Sequence, residues 1–299
     1  MLSLRMRRFV ALCLALCLLA ALPGYASGMP VDYMADIYAL PIDLTGGYDP
    51  LPSGFISRTE YQDPTIHVRI ESGRYKECDY WLARVKIASP TQLRTVSAAP
   101  DFHTVLDMKP EQLAKRVKAV LAINGDFYSF TGLGYILRQG VLYQNILDGS
   151  TDVLLIDEDG DFHVVRYAVQ GSVTPEINGK KVINAMYFGP ALVIDGKPVI
   201  EATGKNMAQD MGRQRMCIAQ VGPLEYMCVC CAGPASGNVG MTLPTWVEFI
   251  STLGVQTAYN LDGGDSTYLI FNYEKVNSLY NSSARKIRDI VYFASAWDE

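Results

Sequence analysis

The sequence predicts an α/β chain of the α+β type: a single strand-rich domain with a mixed central sheet and few helices. Three observations carry this reading. Apolar runs of strand length recur along most of the chain, some alternating with polar residues and some continuous. Asp-Gly and Asn-Gly pairs at 159–160, 178–179 and 195–196 supply hairpin turns. Only two segments show helical spacing, and each leads straight into an apolar strand. Hairpins interleaved with helix-to-strand connections are what a mixed sheet requires.

In chain order, the first 26 residues read as a secretory signal peptide rather than part of the fold. Arg5, Arg7 and Arg8 form a basic start, Phe9 to Leu22 an apolar run, and Gly24-Tyr25-Ala26 a small-residue cleavage context. The run is shorter than the roughly 20 apolar residues of a membrane span, so cleavage after Ala26 is expected, with a retained anchor as the alternative. This places the mature protein outside the cytoplasm, secreted or in the cell envelope. Residues 27–60, with Pro30, Pro41, Gly46-Gly47, Pro50, Pro52 and Gly54, lack a sustained period. They are expected to wrap the domain or stay partly loose, leaving 61–299 as the domain proper. No linker, repeat or low-complexity tract divides it.

Within that domain, Thr65 to Ile70 and Tyr80 to Ile87 alternate as half-buried strands, and Asp152 to Ile156 and Ala191 to Ile194 read as buried ones. Lys109 to Val120 opens with Pro110 and Glu111 and sets Leu113, Val117 and Val120 on one stripe, which predicts a helix lying on a sheet. Thr242 to Leu253 has a Thr N-cap, Pro244 just inside, an apolar face of Trp246, Phe249, Ile250 and Leu253, and Gly254 as its stop. The mature cysteines are 78, 217, 228, 230 and 231, an odd number. Cys217 and Cys228 flank a turn at Gly222-Pro223 and fall opposite each other if the turn is centred there. Buried free thiols are expected, with a cross-strand disulfide as the alternative.

Two segments concentrate the chemistry. Leu121-Ala-Ile-Asn-Gly-Asp-Phe-Tyr128 and Ala258-Tyr-Asn-Leu-Asp-Gly-Gly-Asp-Ser-Thr267 each run an apolar strand into a turn crowded with carboxylates, amides and glycines. Polar groups displayed where buried strands exit are favoured ligand positions, although Asn, Asp and Gly also dominate turns for local hydrogen-bonding reasons. The two exits are expected to lie side by side. Asp262 is the first candidate for a catalytic carboxylate, because Gly263 and Gly264 after it offer open space and backbone N–H groups to an anion. Asp126 on the other exit is the second. Asn124, Gly125 and Asn260 are candidates for substrate contact, and Asp265 reads equally as substrate contact or turn cap. His67, His103 and His163 are scattered and read as strand or surface residues. No nucleophile elbow, P-loop or H-E-x-x-H is present, so serine hydrolase, nucleotide hydrolase and zinc peptidase readings have no support.

The turn Asn124-Gly-Asp-Phe-Tyr128, the segments Gly134 to Arg138, Arg215 to Gln220 and Gly240 to Pro244, then Asn260 to Ser266 followed by Arg285 to Asp289, resemble in order and spacing the phosphodiester glycosidase domain. The resemblance runs from about Asp63 to Phe293. It implies a hydrolase acting at the glycosidic bond of a sugar-1-phosphodiester of the N-acetylglucosamine-1-phosphodiester kind, in an envelope polymer or a glycan. It also departs from the family at Asp126, where Gly is usual. Such chemistry needs a carboxylate at the sugar carbon and arginines forked onto phosphate oxygens. Arg215, which matches the family's Arg before a strand, is the candidate for that grip and is grouped with Asp262 and Asp126 as catalytic. Arg213 and Arg285 are further substrate contacts, with a structural Arg285–Asp289 bridge as the bland reading of the last motif. The sequence requires no cofactor, but Asp126, Asp262 and Asp265 leave a divalent cation, Ca²⁺ or Mg²⁺, open.

Two other classes compete: a non-catalytic carbohydrate or cell-wall binding module, and a metal-dependent phosphodiesterase that cleaves P–O. Composition narrows the partners. The chain carries a formal charge of −5; removing residues 1–26 takes three arginines and no acid, so the mature chain stands at −8. That disfavours nucleic acid and anionic lipid, leaving a carbohydrate phosphodiester as partner and membrane contact only through an uncleaved anchor.

Overall fold

The computed structural model describes residues 37–128, 132–199, 209–278 and 285–298. The expected signal peptide and the start of the expected extension lie outside them. From the amino end the strands are β1 (Phe55–Ser57), β2 (Glu60–Gln62), β3 (Ile66–Tyr75), β4 (Cys78–Ile87) and β5 (Leu93–Ser97), followed by helix α1 (Pro110–Arg116). Next come β6 (Ala119–Asn124), β7 (Gly134–Arg138), β8 (Val141–Ile146), β9 (Val153–Asp157), β10 (Phe162–Val165), β11 (Glu176–Ile177), β12 (Lys180–Met186), β13 (Ala191–Ile194) and β14 (Lys197–Pro198). The chain continues with β15 (Met216–Gly222), β16 (Glu225–Cys231), helix α2 (Leu243–Ser251), β17 (Thr257–Leu261), β18 (Leu269–Phe271), β19 (Glu274–Lys275) and β20 (Asp289–Ala294).

The strand-rich architecture with few helices is as expected; the mixed central sheet is not. There are three sheets, ordered β1-β2-β3-β4-β16-β15-β17-β13-β14, then β10-β9-β12-β7-β8 with β11 on β12, and β19-β18-β6-β20-β5. Among the described residues every pairing of these strands is antiparallel. The helix connections explain the difference. α1 carries the chain from β5 to β6, and α2 from β16 to β17, so each returns in the same direction. One antiparallel strand is inserted in each gap, β20 in the first and β15 in the second. A helix that skips one strand leaves no parallel neighbour: β20 comes from the far end of the chain, and β15 is the hairpin partner of β16.

Alternation decides which face each strand buries. Ile123, Met216, Ile218, Cys228, Tyr259, Leu261, Leu269 and Val291 meet in a core to which all three sheets contribute. The residues between them turn outward and are covered by helices. Cys217, Ala219, Met227 and Val229 pack under Trp246, Phe249 and Ile250 of α2, and Val96, Ala122, Ile290 and Tyr292 under Leu113 and Ala114 of α1. Both helices are shorter than the sequence spacing predicts. Val117 caps α1, Lys118 takes φ 56° and Ala119-Val120 already belong to β6. α2 begins after Thr242, whose hydroxyl accepts the Thr245 N–H at 3.2 Å, and stops before Gly254 at φ 74°.

The extension is bound rather than loose where it is described. Arg94, fully buried, donates to the carbonyls of Pro41, Asp43 and Thr45. Gly47 and Tyr48 hydrogen-bond to Val117 and Ser295, and β1 pairs with β2 across the expected domain boundary. The cross-strand disulfide is excluded by register: Cys217 faces Val229 while Cys228 faces Ile218, which sets the two sulfurs on opposite faces of the sheet. All five described cysteines are free and buried.

Candidate active site

The two polar exits come from different sheets and meet at their strand ends. Asp262, just past β17, donates its backbone N–H to the Gly125 carbonyl at 3.3 Å. Asn124 closes the junction from the other side, donating Nδ2 to the Asp262 carbonyl at 2.7 Å while its Oδ1 accepts the Tyr268 N–H at 3.1 Å. Its amide is therefore spent on holding two sheets together. Gly125 is dictated by packing, since a Cβ there would run into the Asp289 carboxyl.

Behind this junction lies a buried charge cluster. Asp126 has both carboxylate oxygens occupied, Oδ1 by the Arg138 guanidinium at 2.7 Å and Oδ2 by the Tyr187 N–H at 2.7 Å. Arg138 is fully buried and also donates to the carbonyls of Leu137 and Ala185. The second carboxylate near it, Asp289 at the start of β20, stands 3.7 Å from the guanidinium. Burial pushes the Asp289 carboxyl well above the usual range, and the neighbouring Asp126 pushes it further. One arginine thus serves two buried carboxylates, and burial favours the neutral form of Asp289.

In front is a cleft of about 150 Å³ lined by Asn124, Gly125, Phe127, Asp262, Ser266, Asp289, Asp107 and the run Arg285 to Arg288. Asp262 is the half-buried carboxylate in it. Burial raises its pKa to about 6, against hydrogen bonds from Ser266 and the Gly263 N–H at 2.8 Å and the nearby charge of Arg285. The group is thus ionised at neutral pH yet poorly solvated, the state of a carboxylate able to stabilise developing positive charge. Arg285 and Arg288 set their guanidinium carbons 5.5 and 4.6 Å from the centre of the Phe127 ring.

Of the residues singled out from the sequence, Asn124, Gly125, Asp262 and Arg285 line this cleft, and the rest do not. Asp126 sits behind it with its oxygens already engaged. Arg215 is a correction: it is buried on the α2 side of β15, its Nε donating to the Met241 carbonyl at 2.8 Å and Nη2 to that of Met211 at 3.3 Å. Its side chain follows the pleat to the same face as Cys217, while the cleft opens beyond the strand end. Arg213 bridges to Met241 through the backbone, and its Nη2 approaches the Met211 sulfur at 3.6 Å. Asn260 donates to the Gly189 carbonyl at 2.9 Å.

The open diglycine is also corrected. The Gly263 N–H serves Asp262 and the Gly264 N–H donates to the Gln214 carbonyl at 2.9 Å, so neither awaits an anion. Asp265 does not line the cleft. Among the described residues, no three His, Cys, Asp or Glu side chains are grouped to hold a metal ion. Sequence reasoning did not name Asp107, Phe127, Arg138, Ser266, Lys286 or Arg288 as site residues, and gave Asp289 only within the last motif, with a structural salt bridge to Arg285 as the alternative. Their signal is a matter of tertiary placement: only pairing of β20 with β6, Ile290 opposite Asn124, brings the last motif to the first.

None of the curated proteins matches the chain. The fold is similar to that of the zebrafish N-acetylglucosamine-1-phosphodiester alpha-N-acetylglucosaminidase catalytic domain auto-inhibited by pro-peptide. The TM-score is 0.64 with 16% identity, covering 92% of this chain and 97% of that one. A hypothetical protein from Synechocystis is similar with a TM-score of 0.53 and 16% identity, over 80% of this chain and 64% of its own. Residues 117–294 match the phosphodiester glycosidase family model, which is more than half of the sequence, and the chain belongs to that family.

Proposed function

We propose that this protein is an exported hydrolase that cleaves the glycosidic C–O bond of a sugar-1-phosphodiester, of the N-acetylglucosamine-1-phosphodiester kind, in an envelope polymer or glycan. One observation carries the reading: the cleft puts an ionised, poorly hydrated carboxylate, Asp262, beside Arg285, Lys286 and Arg288. Family membership and the name of the zebrafish enzyme of similar fold support it.

In this reading Asp262 stabilises, or attacks, the sugar carbon as it gains oxocarbenium character. The C–O bond breaks toward the phosphate, which leaves as a phosphomonoester of the aglycone, and water supplies the hydroxyl of the released sugar. A phosphomonoester departs readily near neutral pH, so the site can dispense with the strong general acid that ordinary glycosidases need. Export rests on the basic, apolar and small-residue succession of the first 26 residues. N-terminal sequencing of protein recovered outside the cytoplasm should begin near Ser27; an intact Met1 on cytoplasmic protein would refute it.

Hydrolysis in ¹⁸O-labelled water tests the bond cleaved. Label is expected in the sugar, whereas label in the phosphate would mean P–O cleavage by a phosphodiesterase. Ligand binding without any turnover would mean a binding module.

A further inference from the structure

We propose that Arg285 and Arg288, held against the Phe127 ring, form the seat for the phosphoryl oxygens of the substrate, the part first assigned to Arg215. This rests on the proposed activity for its substrate class, but not for its geometry. Arg285 and Arg288 lie in the same cleft as Asp262 and are fixed by the backbone around them. Ile287 between them exchanges both backbone hydrogen bonds with Met108 at 2.9 Å, and the buried Tyr268 hydroxyl donates to the Arg285 carbonyl at 2.8 Å. Arg288 is oriented further by donation from Nη1 to the Tyr128 carbonyl at 3.1 Å and by Asp107, 3.5 Å from its Nε.

Phe127 is the second part of the seat. It holds φ 53°, a region that a bulky aromatic residue rarely enters. Its neighbours impose this: Asp126 is locked by Arg138 and Tyr187, and Tyr128 packs its ring 5.0 Å from that of Phe102. The result is an aromatic surface between the buried charge cluster and two guanidinium groups. A guanidinium held beside a ring, as that of Arg285 is, can still fork onto phosphate oxygens. Arg285 is exposed, and among the described residues no carboxylate lies within ion-pair distance of it. The cleft gathers three cations, Arg285, Lys286 and Arg288, on one run of the chain, with Asp107, Asp262 and Asp289 as its carboxylates. Arg215 does not line the cleft, and its guanidinium donates to the Met241 and Met211 carbonyls instead.

The experiment has a binding arm and a kinetic arm. ³¹P NMR titration with dimethyl phosphate, a diester without a sugar, reads the seat directly. Arg285→Ala is expected to weaken binding by about 10-fold or more, the loss of a charge-assisted hydrogen bond, and Arg285→Lys to recover part of it. Phe127→Leu should weaken binding to a lesser degree while thermal melting stays cooperative. In the kinetic arm, with a methyl phosphodiester of N-acetylglucosamine-1-phosphate, Arg285→Ala should raise KM by a similar factor. Equal binding by wild type and Arg285→Ala, or no binding by wild type, would overturn the seat. Wild type that binds dimethyl phosphate through Arg285 yet turns over no sugar-1-phosphodiester would leave the seat standing and refute the proposed activity.

Discussion

Asp262 sets catalysis against stability. Its carboxyl holds a proton more tightly in the folded chain than an ordinary Asp does, with a pKa of about 6 caused first by burial. Ionising it therefore costs the fold, since the unfolded chain gives up the same proton at about pH 4. The sign follows: the native state loses stability as pH rises from about 4 through about 6 and no more beyond. Asp262→Asn removes that cost. The variant should be more stable than wild type at pH 7 by about 1–2 kcal/mol, a figure below the full 1.36 kcal/mol per unit because the side chain faces a wet cleft. The gain should vanish near pH 4, where both side chains are neutral, and melting curves at pH 4 and 7 measure it. The same substitution should lower kcat by about 10²- to 10⁴-fold, and wild-type kcat/KM should rise with pH through about 6. A variant as active as wild type would take Asp262 out of the mechanism.

At the scale of elements, the site depends on a brace between sheets. Arg138 at the end of β7 reaches the turn after β6 through Asp126, and that turn is tied to β12 through Ala185 and the Tyr187 N–H. Arg138→Leu would leave Asp126 buried and uncompensated, and should destabilise the protein by about 3–5 kcal/mol. Adding Asp126→Asn should recover most of that loss, which chemical denaturation of the single and double variants would show. Recovery by the second change identifies an unpaired charge, not a lost contact, as the cause. The hairpins were legible in the sequence because their cause is local: Asn178 and Gly179 both take positive φ, as do Asp195 and Gly196. Both helices and both polar exits were legible for the same reason. Sheet membership was not, because β20 slots between β5 and β6 from nearly 200 residues away. Nor was the buried brace, since Asp126 and Arg138 look like any turn aspartate and strand-end arginine until β7 is packed against the turn. Arg215 misled because position before a strand says nothing about the face to which its side chain turns.

Over the whole molecule, three antiparallel sheets close around one core that holds without a disulfide or a grouped metal site among the described residues. A domain of this length hides about 70–75% of the surface of its unfolded chain, so it has no need of the staples that small exported domains use. Its thiols are packing residues spread over both faces of the nine-stranded sheet. Cys217, Cys228 and Cys230 are fully buried, and that burial pushes their pKa values up, which suppresses the reactive thiolate. Cys78 is different in that its hydrogen bond with Cys231 lowers its pKa, yet it is fully buried too. The native protein should therefore resist a thiol reagent such as dithionitrobenzoate, and added reductant should leave its melting temperature unchanged. In denaturant without reductant, the count should be five for a chain that begins after Ala26, because Cys13 and Cys17 precede that point. A count of seven would mean that the leader is retained, and three, with a melting temperature that falls on reduction, would mean that two core thiols, Cys78 and Cys231 before any others, had joined.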